Sequence, residues 1–326
     1  MRTKKAFHWS IVLVLVSVGL LSGCGQIGAG SNGDGIVIGA AMPVFDDKWL
    51  SYLYDAINQY DKEHDDVEVS MVDAKNDSSK QLEQVEKFIV QGVDAIVITP
   101  VDTSAVEPMV NAAKQANIPV VVVNRMPDED VLAKLDAYVG SESIEGGIKQ
   151  MEEVEKLLEG KGNVAIMTGE LGHESQIKRT EGNQEVVKKN PEMKVVREGT
   201  AKYQRAEGIR LMENWIQSGT KIDAVVANND EMAIGAISAL KAAGKLDDTI
   251  VAGIDGTPDA LEYIQSGELE VSVFQDPVGQ GEGAIETAVK LAQGEKLEDK
   301  MVWVPYELIT KENVEEYVQK WEEYNQ

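Results

Sequence analysis

The stretch VVANNDEMAIGA (residues 225–236) decides how the rest of the chain is interpreted. Its first three residues are apolar, which is typical of a strand buried on both faces. Asn228, Asn229 and Asp230 follow, and the pattern then becomes helical, with Asp230 predicted as the N-cap. The stretch therefore predicts a strand–turn–helix junction, and ligands bind at such strand ends in open α/β sheets. Taken alone, the junction could equally be a simple capped turn.

Strands and helices alternate along the chain from residue 35 onward. The strands predicted from apolar runs are residues 36–42, 67–72, 95–99, 120–123, 138–140, 163–167, 194–197, 222–227, 250–254, 270–274 and 302–306. Alternation of this kind predicts parallel sheets that are covered by helices and joined by right-handed crossovers. The 326 residues are enough for two domains of the usual ~100–200 residues. We therefore predict an α/β fold of two doubly wound parallel-sheet domains in tandem.

The first residues carry a different pattern, in which basic residues precede an apolar run at 11–21. That run is about half of the ~20 residues that a spanning helix needs, so residues 1–23 are predicted to be a signal peptide. The sequence LSGC at 21–24 resembles the bacterial lipobox, which implies that Cys24 is acylated after cleavage. Residues 24–35 are rich in Gly and Ser and predict a flexible linker.

Composition and charge exclude several classes of function. The formal net charge is −25, which would repel the phosphates of nucleic acids and an anionic membrane surface. Cys24 is the only cysteine, so neither a disulfide nor a cysteine nucleophile is expected. The chain contains no G-x-G-x-x-G or Walker motif and no histidine set for a metal site. We therefore expect no catalytic residues, no metal and no cofactor.

Polar side chains follow the ends of the predicted strands. They are Asp47 with Trp49, Asn124 with Arg125, His173 with Arg179, Asn229 with Asp230, Asp255, and Gln275 with Asp276. Two α/β domains that face each other by the carboxyl edges of their sheets would bring these groups into one cleft. Carboxylates accept hydrogen bonds, guanidinium groups donate them and amides do both, while Trp49 and Tyr203 offer flat apolar faces. This mixture suits a polyhydroxylated ring.

Several of these junctions resemble the periplasmic sugar-binding proteins of ABC importers, in the ribose- and galactose-type branch. The segments that carry the resemblance are GH at 172–173, RT at 179–180, NDEMA at 229–233, GIDG at 253–256 and FQD at 274–276. The resemblance covers about residues 35–317. It implies a type I fold of two lobes, joined by three hinge segments near 136–140, 275–277 and 296–304. The expected lobes are residues 36–137 plus 276–298, and residues 138–275 plus 299–326.

The resemblance also implies a set of ligand-binding residues. They are Asp47, Trp49, Asn124, Arg125, His173, Arg179, Tyr203, Asn229, Asp255 and Gln275. Residues 158–163 stand where galactose-type members have a calcium loop, and they are too short and too poor in oxygen atoms to bind Ca²⁺. The segments GHESQ at 172–176 and QDPVGQG at 275–281 most resemble inositol- and rhizopine-type members. Myo-inositol or a close relative is therefore expected ahead of ribose, xylose or galactose.

The expected function is that of an extracytoplasmic, lipid-anchored monomer. It would capture a sugar or cyclitol by hinge closure and deliver it to an ABC permease. A sensor for a membrane kinase or chemoreceptor stays open as an alternative, because only the partner would differ. At the level of single residues, Asn229 and Asp255 could be helix caps, and His173 could be an ordinary loop histidine.

Overall fold

The computed structural model describes residues 35–324. The predicted signal peptide, Cys24 with its predicted acylation, and all but the last residue of the predicted linker lie outside the described residues. No helix among residues 35–324 is both long enough and apolar enough to span a membrane.

The first lobe is built on a sheet of six parallel strands in the order β11-β5-β4-β3-β1-β2. The strands are β1 (Ile36–Met42), β2 (Val67–Asp73), β3 (Ala95–Ile98), β4 (Val120–Val123), β5 (Ala137–Gly140) and β11 (Met301–Trp303). The helices are α1 (Lys48–Glu63), α2 (Ser78–Gln91), α3 (Val106–Gln115), the short α4 (Glu129–Leu132) and α10 (Pro277–Ala292). A 3₁₀ turn at Thr103–Ala105 precedes α3. Strands β3, β4 and β5 are buried at every position, as expected for strands covered on both faces.

The second lobe is built on a sheet of four parallel strands in the order β7-β6-β8-β9. The strands are β6 (Lys161–Thr168), β7 (Glu192–Thr200), β8 (Ala224–Ala227) and β9 (Ile250–Ala252). Strands β10 (Ser272–Phe274) and β12 (Glu307–Ile309) form an antiparallel pair beside it. The helices are α5 (Ser143–Leu157), α6 (Glu174–Lys189), α7 (Arg205–Gln217), α8 (Asp230–Ala242), α9 (Pro258–Ser266) and α11 (Val314–Tyr324), with a 3₁₀ turn at Leu246–Asp248. The prediction of an α/β fold with two parallel-sheet lobes is confirmed.

The boundary between the lobes differs from the expected one. We expected residue 138 to begin the second lobe, but β5 pairs with β4 in the first sheet. We also expected residues 299–326 to lie in the second lobe, but β11 pairs with β5. The chain therefore leaves the first lobe after Gly140. A short apolar run has the same pattern in either sheet, so only tertiary pairing decides which sheet it joins.

The chain passes between the lobes three times. It runs from β5 into α5, from β10 into α10, and from β11 into β12. It ends in α11, which we did not predict and whose buried Tyr317 and Trp321 pack into the core of the second lobe. Each crossing leaves the carboxyl end of a strand, after Gly140 of β5, Phe274 of β10 and Trp303 of β11.

Candidate functional site

A cavity that is partly open to solvent lies between the two lobes. It is lined by Asp47, Trp49, Leu50, Asn124, Arg125, His173, Ser175, Arg179, Tyr203, Asn229, Asp255 and Gln275. All ten residues that were predicted as ligand contacts lie in this lining. Leu50 and Ser175 were not predicted.

The first lobe contributes side chains that are held by backbone groups. Asp47 caps α1 by accepting a hydrogen bond from the backbone N–H of Leu50 at 2.9 Å. Trp49, on the first turn of that helix, is buried and donates from Nε1 to the carbonyl oxygen of Gln275 at 3.0 Å. Arg125 donates from Nη1 to the carbonyl oxygen of Pro100 at 2.8 Å. The positions of these groups are therefore set before any ligand arrives.

Arg179 is the centre of the contacts in the second lobe. It is 4% exposed, and its Nη1 donates to the carbonyl oxygen of Asn228 at 2.6 Å. Its Nη2 donates to Oε1 of Gln275 at 2.7 Å and to the hydroxyl of Tyr306 at 3.0 Å. The carboxylate of Asp255 lies 3.7 Å from Nη1. The Nε atom is buried and has no hydrogen-bond partner among the described residues.

Three cavity residues have a strained backbone. The φ angles are 69° at Asn124, 61° at Tyr203 and 131° at Asp255. Residues other than glycine rarely adopt such angles, and each costs of order 1–3 kcal/mol. Strain of this kind is found preferentially at functional sites, where the surrounding structure maintains it. These three residues therefore place backbone strain within the cavity lining.

His173 and Tyr203 form a stacked pair of neutral rings. Their centroids are 6.0 Å apart, with an angle of 27° between the planes. Burial, assisted by the charge of Arg125, lowers the pKa of His173 to about 4, so the imidazole is uncharged near neutral pH. Burial raises the pKa of Tyr203 to about 12, and its hydroxyl lies 2.8 Å from Oγ of Ser175. This wall of the cavity therefore offers polar groups without net charge.

Asp255 is a buried carboxyl whose charge depends on Arg179. Burial raises its pKa well above the usual range, and the nearby guanidinium opposes that rise. Burial likewise disfavours the charge on Arg179, but Tyr306 and Asp255 outweigh this effect and raise the pKa of the guanidinium. Asp255 does not cap a helix, because Thr257 caps α9. The alternative that Asp255 is a simple cap is therefore wrong.

The residue that caps α8 is Asn229, not Asp230 as predicted. Oδ1 of Asn229 accepts a hydrogen bond from the backbone N–H of Met232 at 3.0 Å. Asp230 is the first helical residue, and its buried carboxylate accepts from Oγ of Ser272 at 2.7 Å and from the backbone N–H of Thr257 at 3.0 Å. Asn229 therefore both caps the helix and lines the cavity.

A family model described as a periplasmic binding protein domain matches residues 38–296. The chain belongs to this family. The family consists of substrate-binding proteins of transporters, so the prediction that the chain is not an enzyme is confirmed. Family membership also confirms the predicted type I fold.

Three similar proteins cover most of this periplasmic binding protein. A protein of Rhizobium meliloti that is named for rhizopine binding is 46% identical over 284 residues, which is 86% of this chain and 92% of its own length. A xylitol-binding protein of Mycolicibacterium smegmatis is 36% identical over 302 residues, 92% of this chain and 84% of its own. A crystal structure of an ABC transporter solute-binding protein from Bacillus halodurans C-125 contains bound myo-inositol. It is 52% identical, with a TM-score of 0.85, and covers 89% of this chain and 100% of that one.

Several residues that hold the site were not predicted from the sequence. Tyr306, Asn228 and Gln280 each contact a lining residue from outside the cavity. Ser175 could have been found, because it follows His173 by two residues at the start of a helix. Within residues 35–324, no group of three or more His, Asp or Glu side chains is placed to hold a metal ion.

Glu174, next to His173, is a buried carboxyl outside the cavity lining. Its Oε2 accepts a hydrogen bond from Oγ of Ser143 at 2.9 Å, and its Oε1 has no partner among the described residues. Burial raises its pKa from 4.5 to about 7. The folded protein therefore binds this proton more tightly than the unfolded chain does. The stabilising contribution is fully present below about pH 4.5 and is lost as the pH rises through about 7.

Replacing Glu174 by glutamine is expected to stabilise this periplasmic binding protein at high pH, because a neutral amide replaces a buried charge. The advantage of the variant should grow by about 2 kcal/mol between pH 5 and pH 9. Urea unfolding at both pH values measures it. Glu185→Gln, an exposed position on the same helix, is the control that makes the same change in net charge. An equal gain at both pH values, or in both variants, would contradict the prediction.

Proposed function

We propose that this periplasmic binding protein captures myo-inositol or a closely related cyclitol between its lobes and delivers it to an ABC permease. The observation that carries the proposal is the lining of the cavity. All lining residues except Trp49 and Leu50 end in oxygen or nitrogen groups, and contacts with the protein fix several of them in place.

The charges in the cavity favour a neutral ligand. The carboxylates of Asp47 and Asp255 would repel a phosphate. Arg125 and Arg179 already donate to protein carbonyl oxygens, and Arg179 lies beside Asp255. His173 adds no positive charge near neutral pH, since burial lowers its pKa to about 4. A ring that carries only hydroxyl groups satisfies these donors and acceptors without adding a charge.

The choice of a cyclitol over an aldose follows from the number of hydroxyl groups. A cyclitol has a hydroxyl on every ring carbon, whereas an aldose ring includes an ether oxygen that only accepts hydrogen bonds. Each buried cavity group that is left unpaired costs about 1–3 kcal/mol. The solute-binding protein from Bacillus halodurans C-125, at 52% identity with bound myo-inositol, supports the same choice.

Titration calorimetry of the Cys24→Ser protein tests the proposal with myo-inositol, ribose, galactose, glucose, xylose and xylitol. We expect a Kd for myo-inositol that is micromolar or lower. A micromolar Kd corresponds to a binding free energy of about −8 kcal/mol. Aldohexoses should bind at least about tenfold more weakly, because each unpaired group costs 1 kcal/mol or more. Tighter binding of galactose, glucose or ribose would refute the cyclitol ligand and leave membership of the family untouched.

We also propose that Cys24 is acylated and tethers a monomer to the extracytoplasmic face of the membrane. Support comes from the LSGC sequence at 21–24 and the Gly- and Ser-rich residues after it. Membrane fractionation compares the wild type with Cys24→Ser. The wild type should be in the membrane fraction and the variant outside it. Equal distributions of the two would refute the anchor.

A further inference from the structure

Gln280 is a buried side chain between the cavity and a crossing of the chain. It lies on α10, just after the second crossing, and is 0% exposed. Its Oε1 accepts a hydrogen bond from Nδ2 of Asn124, a cavity residue, at 3.0 Å. Its Nε2 donates to Oγ of Ser141 at 3.0 Å. Ser141 is 2% exposed and is the first residue after β5, where the chain leaves the first lobe.

The remaining contacts of Asn124 hold its backbone. Its φ of 69° is in the left-handed region. Its N–H donates to the carbonyl oxygen of Val139 at 2.9 Å, and its carbonyl oxygen accepts from the hydroxyl of Tyr138 at 2.9 Å. One of the two N–H groups of Nδ2 is bound to Gln280, which leaves the other N–H and the side-chain oxygen Oδ1 for a ligand. Gln280 therefore restricts the orientation of the Asn124 carboxamide in the cavity.

The two hydrogen bonds form a chain with one direction. A ligand hydroxyl that donates to Oδ1 of Asn124 polarises that carboxamide, which strengthens its donation to Gln280. Gln280 in turn donates more strongly to Ser141, since hydrogen bonds in series reinforce one another. A contact in the cavity thus changes the strength of a bond at the first crossing.

We propose that Gln280 is a positioning residue that couples ligand contact at Asn124 to closure of the lobes at Ser141, an inference that rests on the proposed function. Gln280 does not touch the ligand. It acts by orienting Asn124 and by stabilising the arrangement of the first crossing that goes with closed lobes. Ligand binding and closure are then linked, so a change in one equilibrium changes the other.

Distance measurements between nitroxide labels, combined with calorimetry, test the coupling. The Cys24→Ser protein receives labels at Glu86→Cys in the first lobe and Lys188→Cys in the second, both exposed positions. Gln280→Met keeps the length of the side chain and removes both hydrogen bonds. We expect Kd for myo-inositol to rise about tenfold, and the distances between labels to lengthen with and without ligand.

Ser141→Ala removes only the hydrogen bond at the crossing. Because this substitution is small, the variant should fold and can test the coupling even if Gln280→Met does not fold. It should raise Kd about threefold and shift the distances in the same direction. The double variant should have the same Kd and the same label distances as Gln280→Met, because both substitutions break one hydrogen-bond network. Thr287 is buried on the same helix, and within residues 35–324 its Oγ1 bonds only to the carbonyl oxygen of Gly283. Thr287→Val should therefore leave Kd and the distances unchanged.

Two results would overturn the inference. One is a lower melting temperature for Gln280→Met with Kd and distances as in the wild type, which would show a purely structural role. The other is a double variant in which the fold-changes in Kd of Gln280→Met and Ser141→Ala multiply, which would show that the two residues act independently. If the wild type does not bind myo-inositol, the proposed ligand is wrong. The label distances without ligand then still decide whether Gln280 controls closure.

Discussion

Replacement of Arg179 by methionine is expected to weaken ligand binding by more than about a hundredfold and to lower the free energy of unfolding by about 3–5 kcal/mol. The loss is large because the carboxylate of Asp255, itself buried and 3.7 Å from the guanidinium, loses its cation. Oε1 of Gln275 and the carbonyl oxygen of Asn228 lose a donor at the same time. Each unsatisfied buried group costs about 1–3 kcal/mol, so affinity should fall by more than about a hundredfold.

The pH dependence of this variant provides a further check. Burial already raises the pKa of Asp255, and Arg179 opposes the rise. Without Arg179, the folded protein should bind the Asp255 proton more tightly still. A carboxyl whose pKa is raised in the folded protein stabilises the fold at low pH, and this stabilisation is lost as the pH rises through the folded-state pKa. The variant should therefore be less destabilised at pH 5 than at pH 8.

Denaturant unfolding at two pH values and calorimetry with myo-inositol measure these effects. Arg179→Lys should be intermediate, because one ammonium group cannot reproduce the several directed donors of a guanidinium. Arg210→Met is the matched control, since Arg210 is exposed and, in the part of the chain that the structure describes, pairs only with Glu207 on the same helix. Near-normal stability of Arg179→Met, or a similar loss in Arg210→Met, would show that the buried pair does not hold the cavity.

The sequence allowed the two lobes and the lining of the cavity to be predicted for a physical reason. Parallel strands bring their carboxyl ends to one edge, so polar residues after separate strands become neighbours whatever their distance along the chain. Arg125 and Pro100, which follow the neighbouring strands β4 and β3, meet in this way. Trp49 and Gln275, 226 positions apart, instead meet across the gap between the two lobes. The family resemblance then selected which polar residue of each junction faces the cavity.

Features that depend on tertiary pairing could not be predicted in this way. The apolar run of β5 fits either sheet, and the structure places it beside β4. Asp230 has the residue type of an N-cap, but Ser272 and Thr257 bind its carboxylate inside the second lobe. Gln280 sits in an ordinary helical pattern, and only the fold shows that its amide lies between Asn124 and Ser141. Sequence patterns identify the buried faces and the ends of helices and strands, whereas the contacts between residues of distant elements depend on tertiary packing.

The packing of α5 on α6 yields the second large prediction, because α6 carries Arg179. Gly147 on α5 lies so close to α6 that an added Cβ would be 2.1 Å from the backbone oxygen of Arg179. That neighbour is helical backbone and cannot turn aside as a flexible side chain would. Gly147→Ala is therefore expected to destabilise the protein by about 3 kcal/mol, at the upper end for overpacking by one methyl group. It should also shift α6 and move the guanidinium from its partners.

Affinity for myo-inositol should consequently fall by at least about tenfold, since a shift of α6 would weaken several hydrogen bonds of about 1 kcal/mol each. Gly283→Ala on α10 is the matched control, because its Cβ would meet only Cγ1 of Val139, at an ordinary 3.4 Å. That variant should bind normally and gain up to about 1 kcal/mol from the better helix propensity of alanine. Calorimetry and thermal unfolding of both variants decide the matter. If Gly147→Ala were as stable as Gly283→Ala, α5 and α6 could separate freely, and their packing would not set the position of Arg179.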